Sequence, residues 1–216
     1  MNALIVIAKQ PAPGRTKTRL SPPLAPERAS RLYEAFLLDT LDLVRAVIGV
    51  RPLIAYLPED ARPYFNKLAP DFSLLLQRGR NLGERLDNAL TDCLTGGFTR
   101  AVIMDSDSPT LPAEYLAQAF DALAAGSDGV LGPCDDGGYY LIGLRRPAPR
   151  LLRDVQMSTP RVVRDTLALA AAENLRMAQL PMWYDVDNAL ALERLRAELA
   201  GLPPERGAHT RRVLAE

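Results

Sequence analysis

Short apolar runs alternate along this chain with longer stretches whose apolar residues recur at helical spacing. Asn2 to Ala8, reading Asn-Ala-Leu-Ile-Val-Ile-Ala, has the pattern of a strand buried on both faces of a parallel sheet. Further strands are predicted over Pro52 to Tyr56, Ser73 to Leu76, Ala101 to Met104, Gly129 to Pro133, Tyr139 to Leu144 and Met177 to Pro181. Between them, Pro26 opens a helix with Leu32, Phe36, Leu43 and Val47 at roughly helical spacing. Leu82 to Leu94 sets Leu82, Leu86, Ala89, Leu90 and Cys93 on one face, and Pro112 to Ala124 does so with Leu116, Ala119, Phe120 and Leu123. Thr159-Pro160 reads as an N-cap and first helical position for a helix to about Ala172, and Leu190 to Leu199 as the closing helix. This order predicts a three-layer α/β/α sandwich with a mainly parallel sheet. A single domain over residues 1–199 is expected, followed by a tail at 200–216 whose Gly201 to His209 stretch reads as loop or frayed end.

The strand from Ala101 runs straight into Asp105-Ser106-Asp107-Ser108-Pro109-Thr110-Leu111-Pro112, which stops a strand and prepares a helix. In an open α/β sheet, ligands sit outside the carboxyl ends of the strands, so Asp105 and Asp107 are expected at a binding crevice. Carboxylates without histidine suit Mg²⁺ or Mn²⁺, bound by one or two acids together with substrate phosphates. An isolated Asp-x-Asp is equally compatible with two acids that cap and solubilise the next helix, so the rest of the chain has to decide.

Composition narrows the chemistry. Lys plus Arg equals Asp plus Glu at 26 each in 216 residues, so no basic field invites nucleic acid. The first apolar run is broken by Lys9 and followed by Pro11 and Pro13, which makes it too short for a membrane span and unlike a signal peptide. A cytoplasmic protein is expected, with Cys93 and Cys134 reduced. The one histidine, His209, falls in the tail, which argues against a Ser-His-Asp triad, a Cys-His pair or a histidine zinc site. The chemistry then rests on carboxylates, Lys, Arg, backbone donors and a metal.

Three further constellations are candidates. Lys9 to Leu20 holds Gly14, Arg15, Lys17 and Arg19 after the first strand, a set suited to polyphosphate, although it lacks the second glycine of a P-loop and also reads as a solvated basic turn. Asp185-Val186-Asp187-Asn188 places acids at another predicted strand exit, where Asp187 could join Asp107 on one metal or simply cap the last helix. Asp135-Asp136-Gly137-Gly138-Tyr139 permits close approach of a ligand to backbone, yet Asp-Gly is also a common hairpin turn. Trp183 reads as core edge.

Five ordered motifs, spanning the chain to about Leu199, resemble a known bacterial family. They are Gly14 with Lys17-Thr18-Arg19-Leu20; Asn81 to Leu86; Asp105 to Pro112; Gly132-Pro133 through Asp135-Asp136-Gly137-Gly138-Tyr139 to Leu144; and Asp185-Val186-Asp187. Together they resemble the glycosyltransferase-A-like family of radical-SAM/selenodomain-associated transferases. The resemblance implies the nucleotide-diphospho-sugar transferase fold. It also implies nucleotide phosphates on Gly14, Arg15, Lys17 and Arg19, a metal on Asp107 with Asp105 nearby, and Asp187 completing its coordination. Gly83 is a further nucleotide-contact candidate within its motif. The first loop departs from the superfamily's nucleotidyltransferases in carrying prolines where they carry glycines, and Met157 stands where family members tend to have an aromatic residue.

The leading expectation is a metal-dependent transferase with a nucleotide or nucleotide-sugar donor. In it, Mg²⁺ or Mn²⁺ sits on Asp107 and Asp187, and Lys17 and Arg19 clamp the phosphates. Asp135 or Asp136 orients a small-molecule acceptor beside Gly137, Gly138 and Tyr139. A non-catalytic nucleotide-binding subunit is a second reading. A haloacid-dehalogenase-type phosphatase is a third, with Asp105 as nucleophile and Asp107 as general acid, although Pro109 stands where that motif expects Thr or Val.

Overall fold

The computed structural model describes residues Met1–Glu216. Its elements are β1 (Asn2–Lys9), α1 (Pro26–Arg45), β2 (Val50–Leu57), α2 (Arg62–Leu68), β3 (Ser73–Leu76), α3 (Leu82–Thr95), β4 (Arg100–Met104), α4 (Ala113–Ala124), β5 (Gly129–Pro133), β6 (Tyr139–Leu144), α5 (Arg150–Arg153), α6 (Val162–Ala172), β7 (Met177–Gln179), α7 (Ala189–Gly201) and α8 (Ala208–Ala215). The strands form one sheet in the order β3-β2-β1-β4-β6-β5-β7. Only β6 runs antiparallel, against β4 on one side and β5 on the other. The predicted sandwich is therefore the observed one, with a mostly parallel sheet.

β1 lies inside the sheet, between β2 and the central β4, and its side chains are apolar on both faces. Leu4 and Val6 pack with α1, α2 and α4 in one core, while Ala3 and Ile5 pack with α3, α5 and α6 in the other. A third cluster, under the first loop, joins Leu20 to Phe36 of α1, to Tyr184 and Val186, and to Leu192 and Leu195 of α7. That small core roots the polar segments on either side of it.

Three predictions are corrected. The helix expected from Thr159-Pro160 begins at Val162 after Arg161, because Thr159 Oγ1 donates back to the Gln156 carbonyl and leaves the helix uncapped by that residue. The strand expected to reach Pro181 ends at Gln179, and the chain continues extended to a bridge between Trp183 and Cys134. The tail is ordered: residues 208–215 form a helix against α1. There Asp39, nearly buried on α1, accepts the backbone N–H groups of His209 and Thr210 and the Thr210 hydroxyl. A partner from another helix thus supplies the cap that Gly207 cannot. No helix is long and apolar enough to cross a membrane.

Replacing Asp39 by Ala should orphan these donors and cost about 1–3 kcal/mol. Hydrogen exchange should then show residues 208–215 opening before the sheet; unchanged protection there would contradict the capping role.

Candidate active site

β1 is flanked by β2 on one side and β4 on the other, so strand order reverses at its carboxyl end. The pairing of β1 with β4 ends at Val6 and Met104, and beyond it the Ile7 carbonyl and Lys9 N–H need other partners. Ser106 Oγ donates to the Ile7 carbonyl at 3.1 Å, and Lys9 N–H donates to the Tyr33 hydroxyl at 3.1 Å. Since the one Ser106 hydroxyl hydrogen is committed to Ile7, the Tyr33 hydroxyl donates to Ser106 Oγ, 3.1 Å away. These two side chains satisfy the end of β1, and Ser106 ties it to the exit of β4. Burial, and Asp107 after it, push the Tyr33 hydroxyl up to about 12, so it keeps its proton for that bond. Alongside, the Gln77 amide donates to the carbonyls of Ala8 on β1 and Ala55 on β2.

The cleft that opens here measures about 460 Å³. Its walls bring together Arg15, Lys17 and Arg19 from the first loop, Asp105 and Asp107 from the exit of β4, and Asp187 from the segment before α7. Tyr33, Gln77, Arg85 and Ser158 also line it and were missed by the sequence reading. Gln77 could have been noticed as a buried amide directly after an apolar strand. Tyr33 could not, because it falls in the helical register of core residues.

Lys17 is the hub. Its ammonium lies 2.9 Å from Asp107 Oδ1 and 2.5 Å from Asp187 Oδ1, with a side chain only 4% exposed. The two acids are held in place by backbone: Val186 N–H donates to the Asp107 carbonyl at 2.9 Å, and Ser108 Oγ donates to the Tyr184 carbonyl at 3.0 Å. Asn188 is the N-cap of α7, so Asp187 is free of the capping role that was its alternative reading. Burial pulls the Lys17 ammonium down, but Asp107 and Asp187 outweigh it and the net shift is upward. Burial raises Asp107 and Asp105, and the Asp107 charge raises Asp105 further. Burial also acts on Asp187, yet Lys17 and Arg19 hold it below the ordinary carboxylate range. The cluster therefore carries an ammonium and at least one carboxylate at neutral pH.

Other candidates lie elsewhere. Gly14 turns the loop at φ +69° and borders a smaller neighbouring hollow with Pro26 and Ala29. Gly83 is buried in α3, where a Cβ would stand 2.1 Å from the Leu152 carbonyl, so it serves helix packing against α5. The acceptor candidates do not line the cleft. Asp135 pairs with Arg194 on α7, and Asp136 accepts the Gly138 N–H at 2.7 Å. Gly137, at φ +90°, abuts the Pro160 carbonyl, and Tyr139 turns its hydroxyl toward Met157 Sδ at 3.8 Å. Trp183 stacks edge-on with Tyr115 at the core margin, as expected. Both thiols are poor nucleophiles: burial raises Cys134 and pushes Cys93 up to about 11.

A family model described as "uncharacterized protein conserved in bacteria (DUF2064)" matches residues 40–159. The chain belongs to this family. The match spans α3, β4 with Asp105 and Asp107, and the β5–β6 hairpin. A crystal structure from Desulfovibrio desulfuricans G20, described as that of a candidate nucleotide-diphospho-sugar transferase, is 30% identical with a TM-score of 0.91, over 99% of this chain and 94% of that one. A 2-phospho-L-lactate guanylyltransferase of Methanothermobacter thermautotrophicus (strain Delta H) is 31% identical over 136 residues, 62% of this chain and 59% of the relative's length. A 4-diphosphocytidyl-2C-methyl-D-erythritol synthase from Anaerococcus prevotii DSM 20548 shares the fold, with a TM-score of 0.62, 10% identity and coverage of 92% and 96%. The D. desulfuricans structure, alike over nearly the whole of both chains, supports a transferase enzyme, and the A. prevotii synthase shows that the fold is shared. A phosphatase using Asp105 as nucleophile finds no support. The Asp105 carboxylate instead accepts the Asp107 N–H at 3.2 Å.

Asp185, beside this cluster, yields a test. Burial first, then the charges of Asp187 and Asp136, push its carboxyl up to about 7. The folded chain thus holds a proton that the unfolded chain loses near the ordinary value of about 4, and stability falls as pH rises through that window. Asp185→Asn should raise the melting temperature at pH 8, by about 2 °C or more, and change it little at pH 5. An equal gain at both pH values would show that charge is irrelevant there.

Proposed function

We propose that this DUF2064 chain is a nucleotidyltransferase of the cytoplasm that moves a nucleotidyl group from a nucleoside triphosphate to an anionic small-molecule acceptor. The observation that carries the proposal is the single cleft in which Arg15, Lys17 and Arg19 face Asp105, Asp107 and Asp187 at the switch point of the sheet. The guanylyltransferase relative makes guanosine triphosphate the first donor to try and a phosphorylated acid the first acceptor class. The motif resemblance to radical-SAM/selenodomain-associated transferases supports the same class of chemistry.

The step needs little covalent help from the protein. An acceptor oxygen attacks the α-phosphorus, the bond from that phosphorus to the bridging oxygen breaks, and its electron pair leaves with pyrophosphate. An ionised phosphate oxygen has no proton to remove, which agrees with a cleft that contains no histidine. Arg15 and Arg19 bind phosphate oxygens bidentately, and Lys17 adds a point charge toward the leaving pyrophosphate. Tyr33 and Ser106 satisfy the end of β1 with hydroxyls in place of a further strand residue, which leaves room for the phosphates to approach.

The donor set fits a hard divalent cation: carboxylate oxygens of Asp107 and Asp187 already converge on one cationic atom, with no nitrogen or sulfur ligand between them. Mg²⁺ or Mn²⁺ held there would neutralise charge on the phosphate oxygens.

The D. desulfuricans structure favours a second reading, in which a sugar moves from a nucleotide-sugar. Product analysis separates the two. Incubation with each nucleoside triphosphate and a panel of phosphorylated hydroxy acids should release pyrophosphate, and Asp107→Asn should lower the rate about 10²–10³-fold. Nucleoside diphosphate from a nucleotide-sugar would favour glycosyl transfer. Neither product from a folded protein would remove both readings.

A further inference from the structure

We propose that Lys17 is an exchangeable internal cation: its ammonium and the divalent metal compete for the same two carboxylates, so metal loading drives Lys17 out of the cluster and onto the donor phosphates. The proposal rests on the functional reading above and assigns a regulation to that site.

The geometry makes joint occupation unfavourable. Lys17 Nζ lies 2.9 and 2.5 Å from one oxygen each of Asp107 and Asp187, the central position between the two side chains. A dication on the same oxygens would stand within a few ångström of the ammonium, where like charges repel strongly. The two acids cannot simply separate to make room. Asp107 and Asp187 are fixed by the Val186–Asp107 backbone bond at 2.9 Å and rest on Val186, which is fully buried in the third core. Lys17 is the movable member. It stands on a loop of Pro and Gly residues, in the left-handed region at φ +48°, a conformation that costs a non-glycine residue free energy and that its ion pairs help to hold. Once released, its side chain remains inside the cleft, whose other loop cations, Arg15 and Arg19, already face the space for phosphate.

Such an exchange links two events. Without nucleotide, Lys17 blocks the metal and neutralises part of the acid charge, so free metal binds weakly. With nucleotide, the phosphates take up the displaced ammonium, and metal and donor favour each other's binding. The same contact suppresses unproductive metal binding in the empty enzyme.

The test is Mn²⁺ binding by the full chain, followed by electron paramagnetic resonance without nucleotide. Wild type should bind Mn²⁺ weakly. Lys17→Met should bind it at least about tenfold more tightly, since the competing cation is gone. Lys17→Arg, which keeps the charge, should stay close to wild type, and Lys17→Gln serves as the neutral variant if the Met variant does not fold. Separately, nucleoside triphosphate binding should weaken in Lys17→Met despite its tighter metal site. Equal or weaker Mn²⁺ binding by folded neutral variants would overturn the exchange. Tight Mn²⁺ binding by wild type alone would do so too. Tighter metal binding by the variant, with no nucleoside triphosphate bound by any form, would uphold the exchange and sink the nucleotidyltransferase reading.

Discussion

The ion cluster of Lys17 with Asp107 and Asp187 ties together three parts of the chain that the sheet only brings near one another. Lys17 belongs to the loop leaving β1, Asp107 to the exit of β4, and Asp187 to the segment before α7. Burying the Lys17 ammonium beside two part-exposed carboxylates is costly, and the pairing offsets that cost because the backbone of the two acids is held in place. Phe36 lies under the ammonium at 5.7 Å, Val186 anchors the acids from below, and Leu20 roots the loop in the same small core. Fold and chemistry meet in that core: the apolar residues fix where the charges stand, and the charges fix what the cleft can bind.

A second constraint is the parting of β1 from β4. A parallel sheet must end its hydrogen-bond ladder somewhere, and the groups left over need partners. Here Ser106 and Tyr33 supply them with side-chain hydroxyls, where an added strand residue would have closed the gap. The cleft is therefore a product of how the ladder terminates. The antiparallel β6 continues the sheet on the far side of β4, so that the acids of β4 remain near the middle of the sheet.

Much of the fold was legible because its strands are continuously apolar and short. β3, β5 and β6 have the predicted limits, and β1, β2 and β4 extend theirs by a few residues. What escaped prediction depends on partners distant in sequence. α8 exists because Asp39, on another helix, caps it, and nothing within its own Gly-Ala-His-Thr start announces that. Past Gln179 the Leu180 N–H still donates to the Leu131 carbonyl, and the regular ladder of β7 stops where Pro133 and Pro181 have no N–H to give. At the site, acids at strand exits and cations in the first loop were visible as patterns, and the structure brings Lys17, Asp105, Asp107 and Asp187 to one cleft. Gly83 and the Asp135–Tyr139 hairpin were less legible, since a glycine for packing and a glycine for ligand approach look alike in one sequence.

The central claim is that the carboxyl end of β1 and β4 receives a nucleoside triphosphate. Hydrogen–deuterium exchange of the full chain, with and without guanosine triphosphate and Mn²⁺, tests it most directly. Slower exchange at residues 9–20, 77–85 and 105–107, with the 134–138 turn unchanged, is the predicted result. Ligand protection confined to that turn or to the outer helices, with the first loop unaffected, would contradict it.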